Sequence, residues 1–178
     1  MFFDGASSSE GTGTGVVFIS PCQETISLSY KLEFETTNNV VEYEALVLGM
    51  RVAKEMGIKE ITIFGDVELI IQQVRNAYRA NHPRLRNYRN EVWDLIDNFF
   101  LAFNISFIPR GENTSANSLV VSASLLKVPL PPMVKYDVEI KYRPSVPDNV
   151  KHWKVFKDDL EIEKFLQSVD EFSALHID

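Results

Sequence analysis

The first 126 residues show a pattern of apolar and polar positions that predicts alternating strands and helices. Apolar residues run together or alternate with polar ones where strands are expected, and they recur every three or four positions where helices are expected. The predicted strands are residues 2–5, 16–19, 25–34, 60–65 and 104–108. The predicted helices are residues 40–56, 67–78, 83–99 and 114–126. This order predicts an α/β fold with a five-stranded mixed sheet, three strands antiparallel and two parallel, and helices on both faces.

Glycine, asparagine and aspartate residues predict where these elements begin and end. Asp4-Gly5 indicates a turn after the first strand, and the glycines and threonines of Gly11–Gly15 indicate another turn. Asn39 and Asp66 stand where helix N-caps are expected. Because the chain begins directly at its first strand, we expect it to be a fragment or the product of a truncated reading frame.

The composition changes after Lys127, where all of the next five residues are valine, leucine or proline and the last two are a proline pair. This change predicts a domain boundary near residue 128, with one domain at 1–127 and a proline-rich connector with short amphipathic helices at 128–178. Residues 135–143 alternate like a strand. A segment of this size rarely folds alone, so it is expected to dock on the first domain or on an absent partner.

The cysteine content and hydropathy limit the class of protein. The single cysteine, Cys22, excludes an internal disulfide and leaves no cysteine–histidine set for a zinc site. No apolar run approaches the roughly 20 residues that span a bilayer, and the first residues lack the basic region and the following apolar region of a signal peptide. We therefore expect an intracellular protein, cytoplasmic or nuclear, that is not secreted and does not associate with a membrane. Its oligomeric state is not predicted.

The charge is unevenly distributed along the chain. The formal net charge of −7 argues against a generally basic nucleic-acid-binding protein. One stretch nevertheless carries five arginines and no acid, interleaved with tyrosines and a histidine. Such a stretch either binds phosphates or is a solvated surface, and the sequence leaves both interpretations open. The arginines are Arg75, Arg79, Arg84, Arg86 and Arg89.

Three carboxylates are candidates for a shared site. Asp4 and Asp66 end two strands that are expected to be parallel neighbours, so both should emerge at one edge of the sheet. Glu42 lies on the apolar stripe of the first helix, whereas Glu44 falls on the opposite side and is expected to be solvated. Taken singly, Glu42 is explained by a capping box with Asn39. Taken together, three converging acids indicate a hard divalent cation, magnesium or manganese.

The motifs around these acids resemble the ribonuclease H domain of retroelement polyproteins, in particular the reverse-transcriptase-associated form of gypsy-type retrotransposons. They are found in the same order over residues 2 to about 126. The region after 128 is similar to the connector that precedes the integrase region in such polyproteins. The matching motifs are Phe3-Asp4-Gly5-Ala6-Ser7, Thr37-Asn38-Asn39-x-x-Glu42, Gly65-Asp66 and Pro109-Arg110-x-x-Asn113-x-x-Ala116.

The resemblance implies a ribonuclease H-like fold and hydrolysis of the RNA strand of RNA–DNA hybrids by two divalent ions, Mg²⁺ or Mn²⁺. It implies that Asp4 bridges the ions and that Glu42 and Asp66 complete their ligands. It also implies nucleic-acid contacts by Asn38, Asn39 and Arg110, which belong to the matched motifs. The implied partners, besides the hybrid, are the reverse transcriptase and integrase regions of the same polyprotein.

The chain departs from this family at the fourth acid of the site, where it has Asn117. An amide oxygen still coordinates a metal, but the site loses a full negative charge. The family's histidine before this position is also unmatched. Three hypotheses follow: a metal-dependent hybrid endonuclease impaired by Asn117, an inactive nucleic-acid-binding module from a decayed retroelement, or a fragment that merely folds.

Overall fold

The computed structural model describes residues 1–9, 11–117, 120 and 137–148. The strands are β1 (Phe2–Ser8), β2 (Gly11–Ile19), β3 (Thr25–Leu32), β4 (Glu60–Gly65), β5 (Ala102–Phe107) and β6 (Val138–Lys141). The helices are α1 (Asn38–Glu55), α2 (Glu68–Val74) and α3 (Pro83–Phe99). A 3-10 turn at Arg110–Glu112 and helical residues at 114–117 follow β5, and most of the rest of the predicted last helix lies outside the described residues. No helix of the described part is long and apolar enough to cross a bilayer.

The strands form one mixed sheet in the order β5-β4-β1-β2-β3-β6. β1, β2 and β3 are antiparallel neighbours, while β4 pairs with β1 and β5 in the parallel sense, as predicted. The prediction of five strands was wrong by one strand. β6 pairs in parallel with β3 at Ser29–Leu32, and this strand-like segment was left out of the predicted sheet because it follows the proline segment that suggested a domain boundary.

β1 and β2 are longer than their sequence suggested. Asp4 lies within β1 rather than in a turn, and the glycine–threonine segment belongs to β2, where Gly11 pairs with Ser8 and Gly15 with Asp4. Both predicted turns were therefore wrong. The backbone ladder between the two strands outweighs the local turn preference of glycine and aspartate.

Helix α1 contacts β1 and β2 on one side and α3 on another, so it is buried almost all round. Every residue from Val40 to Met50 is buried. The helix begins after Thr37, not after Asn39, and α2 begins after Val67, with no side-chain cap at either position. The predicted caps at Asn39 and Asp66 are therefore wrong, and the side chains of Asp66 and Glu42 are not used as caps.

Glu44 is fully buried, which corrects the expectation that it is solvated. Its carboxylate accepts a hydrogen bond from the hydroxyl of Tyr88 on α3, and the Oε1 atom also accepts one from the backbone N–H of Ser145 at 2.6 Å. Burial, followed by the nearby Glu44 charge, raises the pKa of Tyr88. The error arose because the part of the helix from Val40 to Met50 is buried on all sides and has no solvated face, whatever the periodicity of its sequence.

The described residues after 136 pack on the first domain. β6 extends the sheet, and Val146 is 1% exposed within the main hydrophobic core. Beyond it, Asn87 donates to the carbonyl oxygen of Asp148, whose carboxylate lies 3.4 Å from Arg84 Nε. The proposed boundary at 128 and residues 149–178 lie outside the described residues, so the two-domain division stays a prediction.

Replacing Glu44 with leucine should lower the free energy of unfolding by roughly 2–4 kcal/mol, because the Ser145 N–H and the Tyr88 hydroxyl lose their buried acceptor. Urea denaturation measures the loss. Glu55→Leu, at an exposed position of the same helix, should change stability by about 0.5 kcal/mol or less. Equal effects of the two substitutions would contradict a supporting role for Glu44.

Candidate metal centre and nucleic-acid interface

The register between β1 and β4 brings two of the three predicted acids together. Phe2 of β1 pairs with Phe64 of β4 in the parallel sense. Asp4 and Asp66 each follow two residues later, so the same register places them side by side. Asp4 is 2% exposed within its strand, and Asp66 lies just past the end of β4. The prediction that parallel neighbours carry both acids to one place is confirmed, although Asp4 does not end its strand.

Glu42 reaches the same point from helix α1 because Gly5 allows a close approach. A Cβ atom added at Gly5 would lie 2.7 Å from the carbonyl oxygen of Val41, a distance that real side chains do not adopt. The backbone of α1 therefore contacts β1 directly beside Asp4, and Glu42 on the first turns of the helix faces it. Glu42 is 5% exposed.

The three carboxylates form one cluster. One oxygen atom from each of Asp4, Glu42 and Asp66 lies within 4.8 Å of the others. Like charges at such distances repel one another unless protons or cations reduce the charge. Burial and then the Asp66 charge raise the pKa of Asp4 to about 6, an effect that the Arg110 charge partly opposes. Burial and then the Asp4 and Asp66 charges raise the pKa of Glu42 to about 9.

The cluster fits a divalent cation. Asp4 Oδ2 and Glu42 Oε2 are buried and accept no hydrogen bond from the described residues. A buried carboxylate oxygen without a donor costs free energy that coordination to a cation offsets. The ligand atoms are all carboxylate oxygens, which are the ligands that Mg²⁺ and Mn²⁺ prefer. Asp4, Glu42 and Asp66 are therefore the residues suited to hold such an ion.

The metal-free protein should lose stability as the pH rises. Both shifted groups have folded-state pKa values above their ordinary 3.8 and 4.5, so their stabilising contribution is complete below pH 4 and is lost as the pH approaches about 6 for Asp4 and about 9 for Glu42. The slope is about 1.4 kcal/mol per pH unit for each proton retained only by the folded state. Chemical denaturation in EDTA between pH 5 and 8 measures it.

Adding Mg²⁺ at pH 8 should restore the stability that the metal-free protein has lost, because the ion replaces the protons between the carboxylates. At pH 5 the same addition should have a smaller effect, since protons compete for Asp4 and Glu42. A metal-free unfolding free energy that rises from pH 5 to pH 8 would contradict the crowding of these acids.

The acids lie in an open cleft of about 350 Å³. Asn38 and Asn39 line it from the N-terminal turn of α1, and Arg110 lines it from the 3-10 turn after β5. Arg110 is exposed, and its charge acts on Asp4. The structure thus brings these three predicted nucleic-acid contacts to the same cleft as the acids.

Asn117 does not line this cleft, but its segment is tied to the cluster. Its backbone N–H donates to the carbonyl of Asn113 at 3.1 Å, within helical residues 114–117. The side-chain amide of Asn113 donates to the carbonyl of Phe3, the residue before Asp4, at 2.8 Å. Asn117 therefore lies one helical turn from a contact with β1. From the sequence, Asn113 is predicted only as a motif residue and a possible start of the last helix, and Gly5 only as part of a turn.

The arginine stretch does not form a single basic surface. Arg89 is 2% exposed and stacks on the Trp93 ring with a distance of 4.3 Å from Cζ to the ring centroid, so the prediction that it contacts phosphates is wrong. The residues beside Arg89 in the sequence did not indicate that Arg89, like Tyr88, is buried on α3.

The other arginines of the stretch remain at least partly accessible, and three of them are already engaged. Arg75 Nε donates to the Ile105 carbonyl at 2.9 Å, Arg84 pairs with Asp148, and Arg86 Nε donates to the Ala80 carbonyl at 3.3 Å. Arg79 is exposed. Among the predicted basic contacts, only Arg110 lines the cleft with the acids.

Known proteins are similar to this chain in sequence and in fold. Residues 2–123 match the family described as reverse transcriptase-like. Ribonuclease HI of Halobacterium salinarum is 30% identical over 124 residues, which are 68% of this chain and 62% of that protein. The mycobacterial bifunctional protein Rv2228c is 31% identical over 87 residues, 49% of this chain and 24% of that protein. The match thus spans less than two thirds of either relative.

Solved structures give the same result. The RNase H1 of Halobacterium salinarum superposes with a TM-score of 0.64 at 30% identity, covering 68% of this chain and 93% of that one. LC11-RNase H1, in complex with an RNA/DNA hybrid, superposes with a TM-score of 0.63 at 28% identity, again covering 68% and 93%. The predicted ribonuclease H fold is therefore confirmed, whereas these comparisons do not reach the retrotransposon context.

Proposed function

The chain belongs to the reverse transcriptase-like family and carries a ribonuclease H-like domain, and on this premise we propose that it binds RNA–DNA hybrids and hydrolyses their RNA strand with divalent metal ions. The observation that carries the proposal is the cluster of Asp4, Glu42 and Asp66, with ligand oxygens within 4.8 Å of one another. The homologue LC11-RNase H1, solved with an RNA/DNA hybrid, supports the substrate class.

In this proposal the three acids hold the metal ions. Asp4 would serve as a ligand common to two ions, the role that the family resemblance implies, and Glu42 and Asp66 would complete the set. Bound there, Mg²⁺ or Mn²⁺ would supply activation of the attacking water and stabilisation of the leaving oxygen. Because burial and mutual repulsion raise the pKa values of Asp4 and Glu42, both acids must release their protons before they can coordinate.

The remaining groups of the cleft orient the nucleic acid. Arg110 offers a cation at the rim of the acid cluster, suited to a phosphate of the substrate backbone. Asn38 and Asn39 offer amide groups that donate to and accept from sugar and phosphate oxygens. Asn117 supplies a neutral amide where the family resemblance implies a fourth acid, so a second ion would be held less tightly and hydrolysis would be slow.

We place the chain in a gypsy-type retrotransposon polyprotein, with reverse transcriptase and integrase regions as its neighbours. The motif set of residues 2 to 126 supports this origin, as does the family, which is described as reverse transcriptase-like. The departure at Asn117 favours a second candidate function, a hybrid-binding module without catalysis. The two functions differ in one measurement, because both bind hybrid and only the first cleaves it.

An end-labelled RNA–DNA hybrid distinguishes these functions. The protein, incubated with Mg²⁺ or Mn²⁺, should shorten the RNA strand of the hybrid and leave duplex DNA and duplex RNA of the same sequence intact. EDTA should abolish cleavage. Hybrid binding in a filter or anisotropy assay without any cleavage would support the binding module. The absence of both binding and cleavage would reject both functions.

Replacing Arg110 with alanine should weaken hybrid binding about 3- to 10-fold and lower the slope of log affinity against log salt by about 1, because one phosphate contact is lost. Anisotropy titrations at several salt concentrations measure both. Arg51→Ala removes the same charge from a residue that pairs with Glu91 at 2.8 Å and should leave affinity unchanged. A slope that does not respond to Arg110→Ala would show that Arg110 does not contact the backbone.

A further inference from the structure

Asn113 is a buried polar residue next to the acid cluster. It is 1% exposed, and its Nδ2 atom donates to the carbonyl oxygen of Phe3 at 2.8 Å. The two residues are 110 positions apart in the chain. A hydrogen bond of this kind, closed away from water, is costly to lose because the carbonyl left behind has no other donor.

The Phe3 carbonyl needs this donor because the ladder between β1 and β4 is short. The two strands share a single bridge pair, Phe2 with Phe64, and β4 ends at Gly65. One residue beyond the bridge, where β1 continues towards Asp4, the side chain of Asn113 takes the place of a backbone donor from the neighbouring strand. Asp4 and Asp66 emerge from the sheet at this point.

The backbone of Asn113 is bonded to Arg110, which lines the cleft, and to Asn117 in the following helical turn. Its N–H donates to the carbonyl of Arg110 at 3.1 Å, and its carbonyl accepts from the N–H of Asn117 at 3.1 Å. One residue therefore joins the strand of Asp4, the 3-10 turn of Arg110 and the helical turn of Asn117. A shift of the Asn113 side chain would move these groups relative to one another.

We propose that Asn113 is a positioning residue that sets the placement of Asn117 and Arg110 against Asp4, and thereby the affinity of the acid cluster for its divalent ions. The proposal rests on the proposed metal-dependent function of this site. Asn113 acts through the Phe3 carbonyl and the backbone of the following turn, and it is not among the residues that line the cleft.

The test uses Asn113→Leu, which keeps the approximate size and removes the donor, and Asn113→Ser, whose shorter side chain does not span the distance to Phe3. Trp93→Phe is the matched control, because it removes another buried donor, the indole N–H to the Val74 carbonyl at 2.9 Å, on helix α3. Three quantities are measured in each protein: the melting temperature, the Mn²⁺ dissociation constant by electron paramagnetic resonance of free Mn²⁺, and kcat and KM on the hybrid.

We expect both Asn113 variants to raise the Mn²⁺ dissociation constant roughly 10-fold and to lower kcat about 10- to 100-fold, with KM within about threefold of the parent value. Trp93→Phe should lower the melting temperature without changing Mn²⁺ affinity. If Asn113→Leu does not fold, Asn113→Ser alone decides.

Parental Mn²⁺ affinity and kcat in the folded Asn113 variants would overturn the proposal and leave Asn113 a structural residue only. If the parent protein cleaves no hybrid but the Asn113 variants bind Mn²⁺ more weakly than the parent does, the hydrolase function is rejected and the positioning role is supported. A parent protein that binds no Mn²⁺ overturns both.

Discussion

Replacing Asp66 with asparagine is expected to lower hybrid cleavage by roughly 10³-fold, the size of effect seen when a charged group that acts on the reacting atoms is removed. The amide keeps the shape of the side chain but removes one of three charges whose ligand oxygens lie within 4.8 Å. Divalent ions are then held by two acids and neutral groups, and their affinity falls with the lost charge. The cleavage assay with labelled hybrid measures the effect.

The same substitution should stabilise the metal-free protein at pH 8. The Asp66 charge contributes to the raised pKa values of both Asp4 and Glu42, so its removal relieves repulsion in the folded state. A loss of activity combined with a gain in melting temperature is difficult to explain by misfolding. It is the behaviour expected of a site that holds charges together for function.

Asp137→Asn is the control for this experiment, because it removes one carboxylate from an exposed position immediately before β6. It should change neither cleavage nor the response to Mg²⁺. Equal cleavage by the Asp66→Asn and parent proteins would show that any observed nuclease activity arises elsewhere, for example from a contaminant.

The acid cluster could be predicted from the sequence because it depends on topology. Asp4 and Asp66 belong to strands whose order follows from the sequence of elements, and parallel neighbours carry such residues to one place whatever their exact lengths. The position of Glu42 could be predicted once the helix that follows β3 was recognised. The prediction of the acid cluster is therefore unaffected by errors of several residues in where a strand or helix ends.

The features that could not be predicted depend on how the layers pack. Glu44 and Arg89 have sequence positions typical of solvated faces, yet both are buried where α1 meets α3 and the segment around Ser145. Asn113 is buried and donates a hydrogen bond to a strand at the other end of the chain. Periodicity describes one element at a time and contains no information about which second surface covers it.

β6 shows the same limit at the level of the domain. Its alternating sequence was recognised as a strand, but the prolines before it suggested that it belonged elsewhere. Its pairing with β3 and the buried Val146 make it part of the sheet and core of the first domain. Local composition indicates where a chain turns, whereas domain membership follows from where its apolar side chains are buried.

Replacing Asn117 with aspartate is expected to raise the rate of hybrid cleavage roughly 10- to 100-fold, because it adds a negative charge at the position where the family resemblance implies a fourth acid. The turn that carries Asn117 is joined to β1 through Asn113, so the new carboxylate would lie on a segment that is already bonded to the strand of Asp4. The Mn²⁺ dissociation constant should fall by a similar factor, and the cleavage assay at limiting Mn²⁺ should show the largest gain.

The added charge should also have a cost in the absence of metal. Burial and then the charges of Asp4 and Asp66 raise the pKa of Glu42 to about 9, and a fourth acid adds to this repulsion, so metal-free Asn117→Asp should melt at a lower temperature at pH 8 and recover when Mg²⁺ is added. Asn104→Asp introduces the same charge at an exposed position of β5 and should show neither effect.

Combining Asn117→Asp with Asp66→Asn tests whether the gain acts through the acid cluster. If both positions serve one metal centre, the double variant should be about as inactive as Asp66→Asn alone, because residues that act as a unit are not additive. An unchanged rate and unchanged Mn²⁺ affinity in the single Asn117→Asp variant would instead separate Asn117 from the site. The slow hydrolysis proposed for this chain would then need a cause other than its missing fourth charge.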